Sequence, residues 1–418
     1  MDHPGDDPPI AVSPPLVLID PPQGPFWPLA ATRPVAALLG GARTFHARWS
    51  QGQGQVAALL CDPEVSGCAF RSGAPAMINA WPDPTLGYRV AVSTWLPPRE
   101  WIFGDAPATH VCQGTPVAWR LDTAAARRLA RQPAVADSAR ETLRSLDLPA
   151  TEGGGRSIDS IWELVEHNAE LLIEDAADFT GAALEPEARV AVIGPAPRAA
   201  AGVEVGPFAV LDSTVGPILL DHGARVTSHA SLRGPLYVGP GSAILGGEVG
   251  GGTSIGPDCK VRGEVERTIF QGYANKAHDG FVGHSVLGEW VNLGAGTTTS
   301  DLKNTYGPVR VEGPAGRVDT GLLKVGSFLG DHVKTGIGSL LTTGARLGVA
   351  THFFGGRGMS PTWLPNFSWF DGADRQAVRF EDFRRAAGKA MARRGQQLES
   401  GEEAILLALA ACSARRGG

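Results

Sequence analysis

The sequence predicts an α/β domain followed by a parallel β-helix and two C-terminal helices. A Val, Ile or Leu followed by Gly recurs through residues 189–354, and the glycines at Gly250 and Gly256 and at Gly288 and Gly294 lie six residues apart. A six-residue repeat is typical of a parallel β-helix, in which each repeat supplies one short strand and a corner whose backbone angles glycine tolerates. Before residue 150, strand-like apolar runs alternate with helical stretches, which favours an α/β domain.

Composition and charge exclude several classes of protein. At 418 residues the chain has room for two or three domains, and a net charge of −6 without a basic run argues against a nucleic-acid-binding protein. No apolar run approaches membrane-spanning length, so we expect no membrane segment. The five cysteines are odd in number and show no metal-ligand spacing, which indicates free thiols in a reducing compartment. The N-terminus lacks the features of a signal peptide, and the expected location is therefore the cytoplasm.

The α/β domain is predicted to span residues 16–152, after a disordered tail at residues 1–15. Its first element is the apolar run Leu16 to Ile19, which is suited to a buried strand. A helix interrupted at Gly40 and Gly41 is predicted between Val35 and Trp49. The elements predicted after it are strands at residues 56–60, 89–94, 101–103 and 117–121, and helices within residues 124–146.

Three further segments follow: a linker with a helix at residues 153–187, the β-helix at 188–355, and an aromatic wrap with two helices at 356–418. Ser160 and Glu163 fit a capping box at the start of the linker helix, which we expect to run to about residue 179. Residues 303–323 interrupt the six-residue repeat. Because a β-helix presents flat walls of exposed parallel strands, we predict a homotrimer with its binding sites in the grooves between subunits.

The stretch from Lys276 to Thr299, KAHDGFVGHSVLGEWVNLGAGTTT, resembles the acetyltransferase half of the bifunctional N-acetylglucosamine-1-phosphate uridylyltransferase/glucosamine-1-phosphate acetyltransferase family. The chain is also similar to a related group with the same domain order, whose sugar nucleotidyltransferase-like N-terminal domain carries a Thr-Arg-Pro-Val sequence, here residues 32–35. The resemblance implies a β-helix that winds left-handed. It places the catalytic base at His278, a contact to the amino sugar at Asn292, and a contact to the co-substrate acetyl-CoA at Ala295.

Acyl transfer to a sugar requires an amine that attacks a thioester and then loses a proton. An imidazole titrates in the right range to accept that proton, and backbone N–H groups around residues 294–296 could stabilise the developing oxyanion. Cations could hold the phosphate or nucleotide of the substrate. The remaining predicted site residues are Arg233, Lys276 and Lys303 as these cations, Phe281 where the family has a Tyr that contacts the sugar phosphate, and Asp301 and Asp331 on the coenzyme side.

The segment after the first predicted strand is a poor match to a phosphate-binding loop. Nucleotidyltransferases of the related family cradle a triphosphate there on consecutive N–H groups of a Gly-rich loop. Residues 21–28 instead contain four prolines, which lack an N–H group, and only one glycine, and no lysine precedes Lys260. The residues that could act instead are Arg33, Arg43 and Arg48 as phosphate contacts, and Asp20 and Asp105 as ligands for Mg²⁺.

The function that we expect is acyl-CoA-dependent acyl transfer, as N-acetyl transfer to an amino sugar phosphate or a nucleotide sugar in cell-envelope sugar metabolism. One alternative is a sugar-1-phosphate nucleotidyltransferase that uses the N-terminal domain and Mg²⁺, with the β-helix for oligomerisation or regulation. Another is a non-catalytic binding or assembly protein. The last is a metal hydrolyase in which imidazoles converge across a trimer interface, drawn from His278, His284, His332 and His352.

Overall fold

The computed structural model describes residues 13–68, 70, 74–354 and 358–415. The predicted disordered tail at residues 1–15 lies outside the described residues, apart from its last three. The chain divides into two compact units, in which two early segments group with the later part of the chain. The first unit consists of Met1–Pro21, Trp49–Pro63 and Gly73–Ser157, and the second of Pro22–Arg48, Glu64–Ser72 and Ile158–Gly418.

The first unit contains a mixed seven-stranded sheet of Leu16–Ile19 (β1), Val56–Leu60 (β2), Met77–Ile78 (β3), Tyr88–Val92 (β4), Ala108–Cys112 (β5), Thr115–Leu121 (β6) and Ala150–Glu152 (β7). The spatial order of these strands is β7-β5-β6-β4-β1-β2-β3. Strand β1 is parallel to both of its neighbours, β2 and β4, and all four of its side chains are buried, as expected of a central strand. The helices Thr123–Ala130 and Ala136–Arg144 pack Leu129 and Leu143 into the same apolar core as β1.

The prediction of a strand at residues 101–103 is wrong, because this stretch makes no ladder with another strand. Its aromatic rings pack edge-on instead: the Trp101 ring lies 4.7 Å from the Trp95 ring and 5.0 Å from the His110 ring. The apolar run that suggested a strand therefore supplies the rings of Trp101 and Phe103 to this packing. Short pieces complete this unit, namely a pair of strands at Trp95–Leu96 and Arg156–Ser157 and a 3₁₀ helix at Pro84–Leu86.

The prediction of a helix from Val35 to Trp49, interrupted at Gly40 and Gly41, is wrong for residues 35–44 and is confirmed only from Phe45 onward. The structure has a 3₁₀ helix at Val35–Ala37, a hairpin of Leu39–Gly40 with Arg43–Thr44, and a helix that begins only at Phe45 and ends at Gln53. Gly41 has a φ of +69°, which turns the hairpin and which glycine adopts at little cost. The other 3₁₀ helices before residue 70 are Gly24–Phe26, Leu29–Ala31 and Pro63–Val65.

The second unit contains the predicted parallel β-helix. Its longest sheet has ten strands in chain order, and every neighbouring pair is parallel except the first. These strands are Ala182–Ala183, Arg198–Ala199, Ile218–Leu220, Leu236–Val238, Thr253–Ile255, Ile269–Phe270, Val286–Leu287, Phe328–Leu329, Arg346–Leu347 and Trp363–Leu364. Their last residues, from Leu220 to Leu364, are in register and buried in one apolar column. The hand of the winding stays a prediction.

Further walls of the β-helix come from three other sheets. Nine parallel strands form one of them: Ala191–Ile193, Glu204–Val205, Val210–Asp212, Arg225–Val226, Ala230–Arg233, Ala243–Gly250, Lys260–Glu266, Asn275–Lys276 and Phe281–Gly283. The other two are a parallel pair, Thr298–Thr299 with Leu340–Leu341, and a four-stranded sheet of Lys334–Thr335, His352–Phe353, Ser368–Phe370 and Arg375–Ala377. Between residues 303 and 323, where the repeat is interrupted, lies an antiparallel hairpin of Arg310–Gly313 with Gly316–Asp319.

Three longer helices belong to the second unit: Ile161–Ala176, which is the predicted linker helix, and the C-terminal helices Phe380–Ala392 and Ser400–Arg415. The Ser160 hydroxyl accepts from the Glu163 N–H at 3.4 Å, so the predicted cap is present. The C-terminal helices pack Phe383 and Leu406 against Val349 and Phe367 of the β-helix. Within the described residues, none of the helices combines the length and the apolar run that a membrane span requires.

Candidate functional site

Lys276 fixes the corner of the β-helix that carries His278. The Lys276 side chain is buried, and its ammonium donates to the carbonyl oxygens of Arg262 at 2.6 Å and of His278 at 3.0 Å. Burial lowers the pKa of Lys276 to about 8. The predicted role of Lys276 as a phosphate contact stays a prediction, and the structure shows its ammonium bonded to two main-chain oxygens.

His278, the predicted general base, is exposed on the outer surface of the β-helix. The neighbouring Asp279 carboxylate accepts a hydrogen bond from Arg262 Nε at 3.0 Å, which ties this corner to the preceding coil. The imidazole is therefore accessible to a substrate while its backbone is held from both sides. Such a group can accept a proton from an amine that docks against the wall.

Asn292 lies one coil further along the chain and is half-buried. Its side-chain oxygen accepts from the Asn275 amide at 2.9 Å, and its backbone bridges Asn275 and Lys334 on the coils before and after it. This bond fixes the orientation of the Asn292 carboxamide, and its amide nitrogen has no hydrogen-bond partner among the described residues. The arrangement suits a contact to a hydroxyl or carbonyl oxygen of a substrate.

Two of the three N–H groups suggested for an oxyanion site are already bonded within the chain. Gly294 donates to the Thr335 hydroxyl at 3.0 Å, and Gly296 donates to the Asp279 carbonyl at 3.0 Å. The carbonyl oxygen of Ala295, the predicted coenzyme contact, accepts from the Gly338 N–H at 2.7 Å. These bonds join adjacent coils, so two of the predicted donors serve the stacking of the β-helix.

The other predicted phosphate contacts have different surroundings. Arg233 is exposed on the strand Ala230–Arg233, whereas the Lys303 ammonium is half-buried and donates to the carbonyl of Pro308. Phe281 is half-buried, and its ring lies so close to Gly283 that a Cβ there would be 2.4 Å from the ring. Arg233 is thus an exposed cation near this wall, and Phe281 supplies an apolar surface where the related family has a hydroxyl.

Asp301 belongs to a cluster of three possible metal ligands, with Glu266 and His284. One ligand atom from each lies within 4.8 Å of the others, and His284 Nδ1 lies 2.8 Å from Asp301 Oδ2. Burial alone would raise the pKa of Asp301, but the hydrogen bond and the charge of His284 bring it below its ordinary value. The cluster could hold one divalent cation, although the Lys324 ammonium already lies 3.8 Å from Glu266.

The histidines of the metal-hydrolyase alternative have separate surroundings within this chain. His332 is buried between aromatic rings, with the ring of Phe383 at 5.1 Å. His352 stacks on Trp369, and burial together with the Lys334 charge lowers its pKa to about 4. His284 faces carboxylates and His278 faces solvent. A three-imidazole site is therefore absent from the described residues of one chain.

Asp331, the second predicted coenzyme-side aspartate, forms a buried ion pair with Arg33. Its carboxylate accepts from Arg33 at 2.5 Å, from the Thr32 hydroxyl at 2.6 Å and from the Glu289 N–H at 2.8 Å, and Arg33 also reaches the Glu289 carboxylate at 2.7 Å. Although burial would raise the pKa of Asp331, the Arg33 charge and these donors hold it below its ordinary value. The Thr-Arg-Pro-Val sequence thus binds the β-helix.

Sequence reasoning missed this ion pair because it treated Arg33 as a phosphate contact. Arg43 and Arg48, which were considered for the same role, both bind the Asp175 carboxylate, at 3.2 and 2.6 Å. The sequence places Glu289 and Asp331 directly after glycines of the β-helix repeat. This pattern does not identify Arg33 as the partner of these two carboxylates. In the first unit, Asp20 is buried with its carboxylate accepting from the Ser93 hydroxyl at 2.7 Å, while Asp105 is exposed.

Comparison with known proteins supports both halves of the resemblance. Residues 16–182 match a family model described as sugar nucleotidyl transferase. A bifunctional sugar-1-phosphate nucleotidylyltransferase/acetyltransferase of Sulfurisphaera tokodaii is 33% identical over 93 residues, which are 22% of this chain and 23% of that protein. The bifunctional protein GlmU of Methanocaldococcus jannaschii is 32% identical over 116 residues, or 28% of this chain and 26% of that protein.

A third relative is YaiX of Escherichia coli, named an uncharacterized acetyltransferase, which is 24% identical over 155 residues, or 34% of this chain and 63% of that protein. The chain covers about a quarter of the length of the two bifunctional relatives. The chain is thus similar in residues 16–182 to sugar nucleotidyl transferases, and in shorter stretches to bifunctional nucleotidylyltransferase/acetyltransferases.

Proposed function

We propose that this protein is an acyl-CoA-dependent acyltransferase that acetylates the nitrogen of an amino sugar phosphate or a nucleotide sugar. The observation that carries the proposal is the exposed imidazole of His278 on a corner held by Lys276. The sugar amine attacks the thioester carbonyl of acetyl-CoA, His278 accepts the proton that the amine loses, and the coenzyme A thiolate leaves. The names of two relatives include the word acetyltransferase, which supports this reaction class.

The other predicted residues divide into binding and positioning roles. Asn292 contacts the sugar, and Arg233 and Lys303 bind its phosphate or nucleotide by charge. Lys276 is better suited to position His278, because its ammonium is bonded to two carbonyl oxygens. Ala295 and Asp301 lie on the coenzyme side in this proposal, whereas the Asp331 carboxylate is bonded to Thr32, Arg33 and the Glu289 N–H.

We also propose that the active form is a homotrimer located in the cytoplasm. Several large apolar side chains of the last coils are exposed in one chain, and a second copy could cover them. Leu340 and Met359 pair through a β-bridge, and the ring of Phe354 lies 4.7 Å from that of Trp369. The exposed fractions are 86% for Ile337, 52% for Met359, 44% for Leu340, 41% for Trp369 and 38% for Phe354.

The second candidate function is nucleotidyl transfer by the N-terminal domain, which the family match to residues 16–182 favours. Its usual phosphate-binding segment is altered: residues 22–48 group with the second unit, and Arg33, Arg43 and Arg48 are paired with carboxylates there. We therefore assign the N-terminal domain a role in binding substrate or in scaffolding. Mg²⁺ would be needed only if this domain is active.

The experiment that tests the proposal follows acetylated product by mass spectrometry, with acetyl-CoA and a panel of amino sugar phosphates and nucleotide amino sugars. His278→Ala should lower the rate by about 10²- to 10⁴-fold, the usual worth of a general base. His222→Ala is the matched control, since His222 is another exposed histidine of the β-helix. Equal rates for His278→Ala and wild type would contradict the proposal, and Mg²⁺-dependent pyrophosphate release that survives His278→Ala would favour nucleotidyl transfer.

A further inference from the structure

A cleft of about 630 Å³ lies within the second unit, and none of the predicted site residues is among the described residues that line it. Its walls come from the segment after β1, the hairpin at residues 310–319, the strands Arg346–Leu347 and Trp363–Leu364, and the last C-terminal helix. This volume is in the range of sites for small organic molecules.

Arg346 supplies a buried positive charge to the cleft. Its side chain is 3% exposed, and Nη2 donates to the carbonyl oxygens of Trp27 and, at 3.3 Å, of Gly24. The guanidinium lies 5.1 Å from the centre of the Trp27 ring. Among the described residues no carboxylate forms an ion pair with Arg346, and burial lowers its pKa to about 10. A buried charge of this kind calls for a counter-charge.

Three buried donors in the walls of the cleft have no hydrogen-bond partner among the described residues: Arg346 Nε, Trp363 Nε1 and Gln23 Nε2. Buried polar atoms are nearly always bonded in folded proteins. Because all three atoms donate, the group that satisfies them must accept, and the Arg346 charge makes an anionic oxygen group the best match.

The other residues that line the cleft indicate what the uncharged part of the ligand should be. The cleft is lined by Trp27, Trp162 and Trp363, and the rings of Trp27 and Trp363 meet edge-to-face at 6.3 Å. Indole rings of this kind suit the packing of a flat ring compound. Asp159 and Glu163 also line the cleft, and burial and the charge of Glu163 raise the pKa of Asp159. These carboxylates repel a highly charged molecule and thereby disfavour a nucleoside diphosphate.

We propose that this cleft binds a small aromatic or heteroaromatic molecule with one anionic oxygen group, such as a carboxylate, a sulfonate or a phosphate monoester. The anionic group accepts from Arg346, Trp363 and Gln23, and the ring packs among the tryptophans. This site is independent of the proposed acyl transfer, since it shares no residue with it.

The test uses two probes of similar shape, the anion 8-anilinonaphthalene-1-sulfonate and its uncharged analogue N-phenyl-1-naphthylamine, in fluorescence titrations of the full chain. In Arg346→Leu the ratio of the affinities of the anion and the neutral probe should fall by about tenfold or more, as for a lost hydrogen bond to a charge, while the neutral probe still binds. Arg375→Leu, an exposed arginine outside the cleft, should leave the ratio unchanged.

An unchanged ratio in Arg346→Leu would overturn the proposal, as would the absence of saturable binding of the anion by the wild type. Trp363→Phe keeps an aromatic ring and removes the indole N–H group. This variant therefore tests the proposed anion site if Arg346→Leu does not fold. It should weaken binding of the anion about fivefold, a typical neutral hydrogen bond. No change in that variant would count against the site.

Discussion

Arg33 forms two buried ion pairs in the structure, although from the sequence its side chain could equally have bound a phosphate. Its guanidinium is bonded to the carboxylates of Glu289 and Asp331, and those charges hold the pKa of Arg33 well above its ordinary value despite its burial. Nothing in the local sequence around Thr32 to Val35 identifies partners more than 250 positions away. His278 is different, because its predicted role rests on a local motif and the structure leaves its side chain exposed.

Replacing Arg33 with Leu should destabilise the protein by about 3–5 kcal/mol, because two buried carboxylates lose their counter-charge. The free energy of unfolding, measured with urea by circular dichroism, checks this. Arg385→Leu is the matched control: Arg385 and Asp382 form an exposed ion pair one helical turn apart, and such pairs contribute less than about 1 kcal/mol.

The pH dependence of the free energy of unfolding provides a second test of Arg33→Leu. Since the folded pKa of Asp331 lies below that of the unfolded chain, its stabilisation is present above about pH 3.9 and is lost as the pH falls through the folded value. In Arg33→Leu the unpaired carboxyl gains from protonation, so the difference from wild type should shrink below about pH 4. A difference that is constant from pH 7 to pH 3.5 would contradict this account.

Among the secondary-structure elements, the β-helix was predicted correctly from the six-residue repeat. The backbone angles of the corners, however, explain only some of the repeated glycines. Gly256 and Gly288 have no positive φ, and corner angles therefore do not explain them. A Cβ at these positions would lie 2.3 Å from the Gln271 carbonyl oxygen and 2.4 Å from an oxygen of Asp331. Glycine is needed there because adjacent coils approach closely. The six-residue spacing in the sequence predicts where these glycines occur, but it does not show that close packing is the reason.

The hairpin at residues 39–44 could not be predicted from the sequence, because its partners lie in the linker helix and in the β-helix, more than 100 positions away. Asn168 of the linker helix accepts from the Gly41 N–H at 2.7 Å and donates to the Gly252 carbonyl at 2.8 Å and the Ser254 hydroxyl at 2.9 Å. One fully buried carboxamide thus joins hairpin, helix and β-helix. The helical pattern of residues 35–49 therefore produces a helix only from Phe45 onward, after the hairpin that these tertiary bonds hold.

Asn168→Leu should therefore destabilise the protein by about 3 kcal/mol, because it leaves buried main-chain groups without partners at about 1–3 kcal/mol each. Thermal and urea unfolding of the variant would measure the loss. The adjacent His167→Ala is the control, since His167 is only half-buried in a pair with the exposed Glu170, and such changes stay within about 0.5 kcal/mol. Equal losses in the two variants would show that the network is unimportant.

At the scale of the whole molecule, the flat walls and exposed apolar side chains of the last coils lead to the prediction of a trimer. Ile337→Asp combined with Trp369→Glu should convert the trimer to monomers, because each change would bury a charge in the interface between copies. Sedimentation analysis would show one third of the wild-type mass. Ile173→Asp, on the exposed face of the linker helix, should leave the mass unchanged, and a monomeric wild type would refute the prediction.

The assignment of residues 22–48 to the second unit has a practical consequence for protein engineering. Tandem domains can be expressed separately after one cut in the linker, but here a fragment beginning at residue 158 would lack Thr32, Arg33 and the hairpin. Glu289 and Asp331 would lose their cationic partner, and Gln271, which bonds both main-chain groups of Leu39, would lose that pairing. A chimaera that exchanges the N-terminal domain must therefore keep this early segment with the β-helix.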